Sequence, residues 1–189
     1  MTINWYGGGC YKIQTPNFNL VIDPETAASA GSRLKADLIL HTTLEVEEIG
    51  GDDFPPKEEE IFGPGEYNLG PARIKGVLVS KESKGKLLKT AYSVVLEDLR
   101  LGFLGDISAD LTEDELDALD GIDILFVPAS AASSLRYVKA IEPKWAIPAG
   151  DAKKLASELG EEALPQEKFT IKKKDLGSEE KTKLAVLSY

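Results

Sequence analysis

The chain has 189 residues, 42% of them apolar, and a formal net charge of −10 from 32 acidic and 22 basic residues. That size and apolar content suit a single folded domain over residues 1–189 and exclude a disordered chain, while the acidic surface repels nucleic acid and anionic membranes as non-specific partners. One cysteine, Cys10, leaves no internal disulfide, and one histidine, His41, excludes a site made of several imidazoles.

Residues 3–6 and 10–14 are predicted strands around the glycine run Gly7-Gly8-Gly9, a tight turn. A strand over 19–22 stops at Asp23-Pro24, and 37–40 is a short apolar run that suits a buried strand. The acidic stretch 45–60, with Gly50-Gly51 and Pro55-Pro56, reads as a loop or short helix followed by a turn; the solvated first turn of a helix accounts for the acidic residues 45–48. Gly63-Pro64-Gly65 is a turn entering a strand at Tyr67. Strands over 73–80 and 91–96 flank a lysine-rich hairpin around Lys84-Gly85-Lys86, and 99–104 is another strand, ending at Gly105-Asp106.

From there the rhythm becomes β-α. Thr112 followed by Glu115 is a capping-box pattern, with an apolar stripe at Leu111, Leu116 and Leu119. A continuous apolar strand at 122–127, a helix over 134–141, and a strand at 145–148 follow. Asp151 is placed to cap a helix that Gly160 stops. Strands over 169–172 and 184–188 close the chain, and the run Lys172-Lys173-Lys174 reads as a solvated strand edge. There is no linker and no short-period repeat. No signal peptide opens the sequence and no apolar run approaches the roughly 20 residues of a membrane helix, so a soluble, cytoplasmic protein is expected.

The polar residues in 37–43, Asp106 after Gly105, and Asp151 after Gly150 all follow strands, where α/β proteins place ligand sites. Cys10 is expected to be a buried small apolar residue, and Ser130, Ser133 and Ser134 to serve a helix start.

The order of these pieces resembles one family. Ile3-Asn4-Trp5-Tyr6-Gly7 with Cys10-Tyr11-Lys12-Ile13 looks like the opening strand pair of the metallo-β-lactamase fold hydrolases, in the branch of small proteins similar to L-ascorbate-6-phosphate lactonase. Leu20-Val21-Ile22-Asp23-Pro24 matches the next strand, and Ala36-Asp37-Leu38-Ile39-Leu40 the strand leading into the metal motif HxHxDH. The later pieces from Gly63 to Pro148 fall in the family's order. The resemblance implies a four-layer αβ/βα sandwich, an α/β (α+β) fold of two mixed sheets flanked by helices.

It also shows what the chain lacks. Laid on the family without a gap, the motif's histidines become Thr43, Glu45 and Glu48, and its water-activating aspartate becomes Glu47. The opening-turn histidine falls on Gly8, the terminal one near Gly150, and the one expected after Val77 is missing around Ser80-Lys81. The bridging aspartate survives as Asp106; His41 stands two positions before the motif. The family uses imidazoles because they hold zinc while leaving its bound water acidic. The leading expectation is therefore a pseudoenzyme without cofactor, a binding or interaction module for a small molecule or protein, whose old groove is lined by His41, Thr43, Glu45, Glu48, Asp106 and Asp151. The alternatives are a hydrolase of a lactone or phosphate ester with a site rebuilt from Glu45, Glu47, Glu48 and Asp106 around Mg²⁺, Mn²⁺ or Zn²⁺, and a structural subunit of a homo-oligomer.

Overall fold

Hydrophobic alternation in the first third produces β1 (Thr2–Trp5), β2 (Tyr11–Thr15), β3 (Phe18–Ile22), β4 (Leu38–His41), β5 (Thr43–Glu45) and β6 (Glu60–Phe62). The middle supplies β7 (Gly65–Leu69), β8 (Ala72–Leu78), β9 (Leu87–Leu96) and β10 (Leu99–Phe103). After them come α1 (Glu113–Ala118), β11 (Ile124–Val127), α2 (Ala131–Ile141), β12 (Trp145–Pro148) and α3 (Lys153–Leu159). The short strands β13 (Pro165–Gln166), β14 (Phe169–Thr170), β15 (Lys183–Leu184) and β16 (Val186–Leu187) finish the chain. This computed structural model describes residues 1–28, 34–46, 60–128, 130–150, 152–177 and 181–189.

Two mixed sheets face each other. The six-stranded sheet has the order β14-β1-β2-β3-β4-β6, and the eight-stranded sheet β15-β12-β11-β10-β9-β8-β7, with β5 added on β9. Ile3, Ile13, Leu20 and Leu40 from one sheet meet Val94, Leu101, Phe103 and Phe126 from the other in one core. The Tyr11 and Phe126 rings bridge the sheets edge to face, 4.7 Å apart. On the first sheet's other face lie Asn4, Lys12 and Gln14, partly exposed, as strand alternation requires.

β11 is buried on both faces, which explains its unbroken apolar run. Ile124 and Phe126 enter the inter-sheet core, whereas Leu125 and Val127 join a second core with Tyr137, Val138, Leu155 and Ala156 of α2 and α3. The sandwich of two mixed sheets is thus the one expected, but among the described residues the α-helices cover the eight-stranded sheet and no α-helix lies on the six-stranded one. No described helix is long and apolar enough to cross a membrane.

Several local expectations change. The acidic residues that begin at Glu45 do not open a helix there: Thr43–Glu45 is a strand, paired antiparallel with residues 87–89, because the long β9 runs past the end of β8 and offers its free edge. Residues 47–59 lie outside the described set. The lysine run is not a strand edge, since Lys173–Asp175 forms a 3-10 turn closed by Lys172 N–H donating to Asp175 at 3.0 Å. The residue before α3 is Ala152, which offers no side-chain cap. Ser130 precedes α2 without capping it, and Ser134 Oγ instead donates to the Pro128 carbonyl at 2.7 Å.

The capping box is present and reaches further than its own helix. The Glu115 carboxylate accepts from Thr112 N–H at 2.8 Å, and also from Ser80 N–H and Ser80 Oγ at 2.9 and 2.8 Å. It ties α1 to the end of β8. Burial disfavours the charge, but these bonds outweigh it and hold the carboxyl below its usual value. Glu115→Ala should cost about 2–3 kcal/mol, because it orphans donors at a buried joint. A depressed folded-state pKa means this stability is full above the ordinary value of 4.5 and is lost as pH falls below it. Urea midpoints of wild type and Glu115→Gln should therefore differ most at neutral pH and converge in acid. A gap that does not change with pH contradicts this role.

Candidate functional site at the strand ends

β3 and β4 are parallel, with Ile22 opposite Leu40, so the residues that follow them emerge side by side. Asp23 and Glu25 leave β3, while His41 and Thr42 end β4. Asp23 is 3% exposed, and both of its oxygens are engaged by one residue: Thr42 N–H donates to Oδ1 and Thr42 Oγ to Oδ2, each at 2.6 Å. Burial pushes the Asp23 carboxyl up to about 6, with the Thr42 bonds pulling the other way.

His41 stacks on Phe62 of the adjacent β6, ring centres 4.1 Å apart and planes within 5°. Its Nδ1 lies 3.1 Å from Glu25 Oε2, and its buried Nε2 has no hydrogen-bond partner, with Glu60 Oε2 at 3.8 Å. The His41 bond outweighs the burial of Glu25 and holds that carboxylate below its usual range. Asp23, Glu25 and His41 each offer a ligand atom within 4.8 Å of the others. Beneath them, the Tyr92 hydroxyl shares its proton between the carbonyls of His41 and Gly63, each 3.1 Å away. That bond joins the two sheets.

The facing sheet contributes Gly105 and Asp106 after β10. A Cβ on Gly105 would lie 2.3 Å from Thr42 Oγ1, so this loop rests directly on the Asp23–Thr42 pair. Asp106 is exposed, and its carbonyl accepts a hydrogen bond from Lys89 Nζ. Lys89 is the cross-strand partner of Thr43 and forms an ion pair with Glu82 at 3.4 Å. Thr43, Lys89 and Asp106 are thus brought together by pairing between distant segments.

Of the expected groove residues, His41, Thr43 and Asp106 gather at this end of the sandwich. Glu45 is exposed on β5, opposite Leu87; Glu48 and Asp151 lie outside the described residues. Sequence reasoning missed Asp23, Glu25 and Lys89. Asp23-Pro24-Glu25 was legible as the stop of a strand, and the signal it carried was its place at the end of a strand parallel to β4. Cys10 is fully buried, and burial, then Asp23 and Glu25, push its thiol up to about 12, as an inert core residue.

The positions that the family resemblance assigns to metal donors do not supply a full set of zinc ligands among the described residues. Gly8 and Gly150 carry no donor side chain, and Glu45 is exposed on an edge strand; at Asp106 it is the backbone carbonyl that accepts from Lys89 Nζ. The Asp23–Glu25–His41 group is a different donor set, of the mixed carboxylate and imidazole kind that divalent ions accept.

Residues 2–150 match the family model described as a beta-lactamase superfamily domain. A UPF0173 protein of Pyrococcus abyssi is 25% identical over 174 residues, covering 78% of this chain and 82% of that protein. Among solved structures, a Thermotoga maritima protein of the metallo-β-lactamase superfamily superposes with a TM-score of 0.72 at 17% identity, over 99% of this chain and 98% of that one. Igni18, a metallo hydrolase of Ignicoccus hospitalis, reaches 0.65 at 14% identity, over 90% and 99%.

Proposed function

The chain belongs to the beta-lactamase superfamily, and we propose that within it the protein binds a ligand at the old groove without hydrolysing it. The observation that carries this reading is Lys89. Its ammonium, partnered by Glu82 and the Asp106 carbonyl, supplies a fixed positive charge beside the positions where the family resemblance puts the metal. A bound lysine cannot ionise a water molecule as zinc does, because it offers no vacant coordination position. A cavity of about 290 Å³ bordered by Trp5, Gly150, Ala152, Leu187 and Tyr189 leaves room for a small, partly apolar ligand. Trp5 also donates to the Gly8 carbonyl at 2.9 Å, so this cavity adjoins the opening turn.

A second reading rests on Asp23, Glu25 and His41, which would hold a divalent cation away from the family's own positions. That cation would supply Lewis acidity to a rebuilt hydrolase. Elemental analysis of protein purified with and without added Mn²⁺ and Zn²⁺ separates the readings, together with assays on a phosphodiester and a lactone. The binding-module reading expects no stoichiometric metal and no turnover. Metal lost on Asp106→Ala would overturn it in favour of a family-type centre. Metal lost on His41→Ala but retained in Asp106→Ala, with turnover, would establish the second reading.

A further inference from the structure

The outer face of the eight-stranded sheet carries a second cavity, about 330 Å³, that shares no lining residue with the strand-end site. Arg73, Lys75, Ser93, Val95, Arg100 and Asp117 are among its walls. The register explains how they meet. Arg73 of β8 lies opposite Val95 of β9, which lies opposite Arg100 of β10, so all three share one face. The two arginines flank Val95 across two strand spacings, roughly 10 Å. Lys75 stands two residues along from Arg73 on the same face, opposite Ser93. Gly102, opposite Ser93, is covered by Ile122 and Leu125, which a Cβ there would meet at 3.0–3.1 Å, so the bowl ends at Ser93 on that side.

Three cations therefore converge over one apolar floor, with two carboxylates, Glu66 opposite Lys75 and Asp117, on its walls, in a chain with a net charge of −10. Among the described residues, no ion pair joins Arg73, Lys75 or Arg100 to a carboxylate. Arg100 is oriented by donating to the Asp120 carbonyl at 2.6 Å, which uses one corner of its guanidinium. A solvated sheet face accounts for exposed cations taken singly. It does not account for two guanidinium groups placed on either side of a concave floor.

We propose that this bowl binds the phosphate group of a small phosphomonoester, the size of a sugar phosphate. Arg73 and Arg100 grip the oxygens from opposite sides, since planar guanidinium forks match phosphate geometry. Lys75 adds a point charge, Ser93 a hydroxyl donor, and Val95 packs under the ligand's carbon skeleton. Glu66 and Asp117 on the rim oppose the bound charge and limit affinity.

Calorimetric titration of the full chain in phosphate-free, low-salt buffer tests this, with inorganic phosphate, ribose 5-phosphate and ribose as probes. Phosphate and ribose 5-phosphate should bind and ribose should not. The double variant Arg73→Gln/Arg100→Gln should weaken binding by about tenfold or more, and Asp117→Asn should strengthen it severalfold. Lys12→Gln, on the other sheet, should leave it unchanged. Absence of phosphate binding to the wild type, or equal binding by the double variant, overturns the proposal. If the double variant fails to fold, Arg73→Gln alone decides, because that exposed side chain holds no structural ion pair: undiminished affinity refutes the site.

Discussion

Asp23→Ala should lower stability by about 2–5 kcal/mol, a large share of what a domain of this size possesses. The carboxylate is buried and is the acceptor for both donors of Thr42, at 2.6 Å each. Alanine leaves a buried N–H and a buried hydroxyl without a partner, and each such group costs about 1–3 kcal/mol. Asp23→Asn retains an acceptor for one donor and should lose less. Urea denaturation of Asp23→Ala, Thr42→Val and the double variant forms a cycle whose coupling should reach about 1 kcal/mol, because Thr42→Val removes the buried Oγ–Oδ2 bond while the backbone N–H bond to Oδ1 remains. Additive losses would show that Thr42 does not depend on Asp23. The pH dependence has a definite sign. Burial raises the folded-state pKa of Asp23 from 3.8 to about 6, so the native state takes up a proton there before the unfolded chain does. Its favourable contribution is present below pH 3.8 and is lost as pH rises through about 6. The stability of wild type relative to Asp23→Asn should thus decline across that window.

Gly105→Ala should cost about 2–5 kcal/mol, from two sources. Gly105 has φ +63°, a left-handed conformation that a Cβ disfavours, and the new methyl would lie 2.3 Å from Thr42 Oγ1 and 2.7 Å from Thr42 Cβ. Thr42 cannot retreat, since Asp23 holds it by two bonds. The same methyl on Gly85 meets nothing within 4 Å at a comparable φ of +61°, so Gly85→Ala isolates the backbone cost. Thermal or urea unfolding should rank Gly105→Ala well below Gly85→Ala. Equal losses would mean that the approach of this loop to Thr42 is loose, and that the two strand ends do not support each other.

These two residues show where sequence reading stops. Asp23-Pro24 and Gly105-Asp106 were both legible as strand terminations, and the resemblance to a family placed Asp106 at a bridging position. Neither observation says that the two ends touch through Thr42. The acidic residues from Glu45 illustrate the converse error: local composition favours a helix start, but the unpaired edge of β9 captures Thr43–Glu45 as a strand. Tertiary pairing overrode local preference there, as it commonly does for short segments.

Features that depend on near neighbours or on counting were readable before any fold was known. The alternation of β1 to β3, the double-sided burial of β11, and the Thr112–Glu115 capping box all follow from spacing within a few residues. The presence of one histidine was equally plain, and the family resemblance aligned Gly8 and the neighbourhood of Gly150 with two of its donor positions. Which polar residues share a site emerged from long-range strand pairing. Parallel pairing of β3 with β4 set Asp23 and Glu25 beside His41, and the extra strand β5 set Thr43 against Lys89, within reach of Asp106. The physical reason is that strand register fixes neighbours across gaps of 16 to 19 residues, such as His41 to Glu25 and Thr42 to Asp23, where local propensity carries no information.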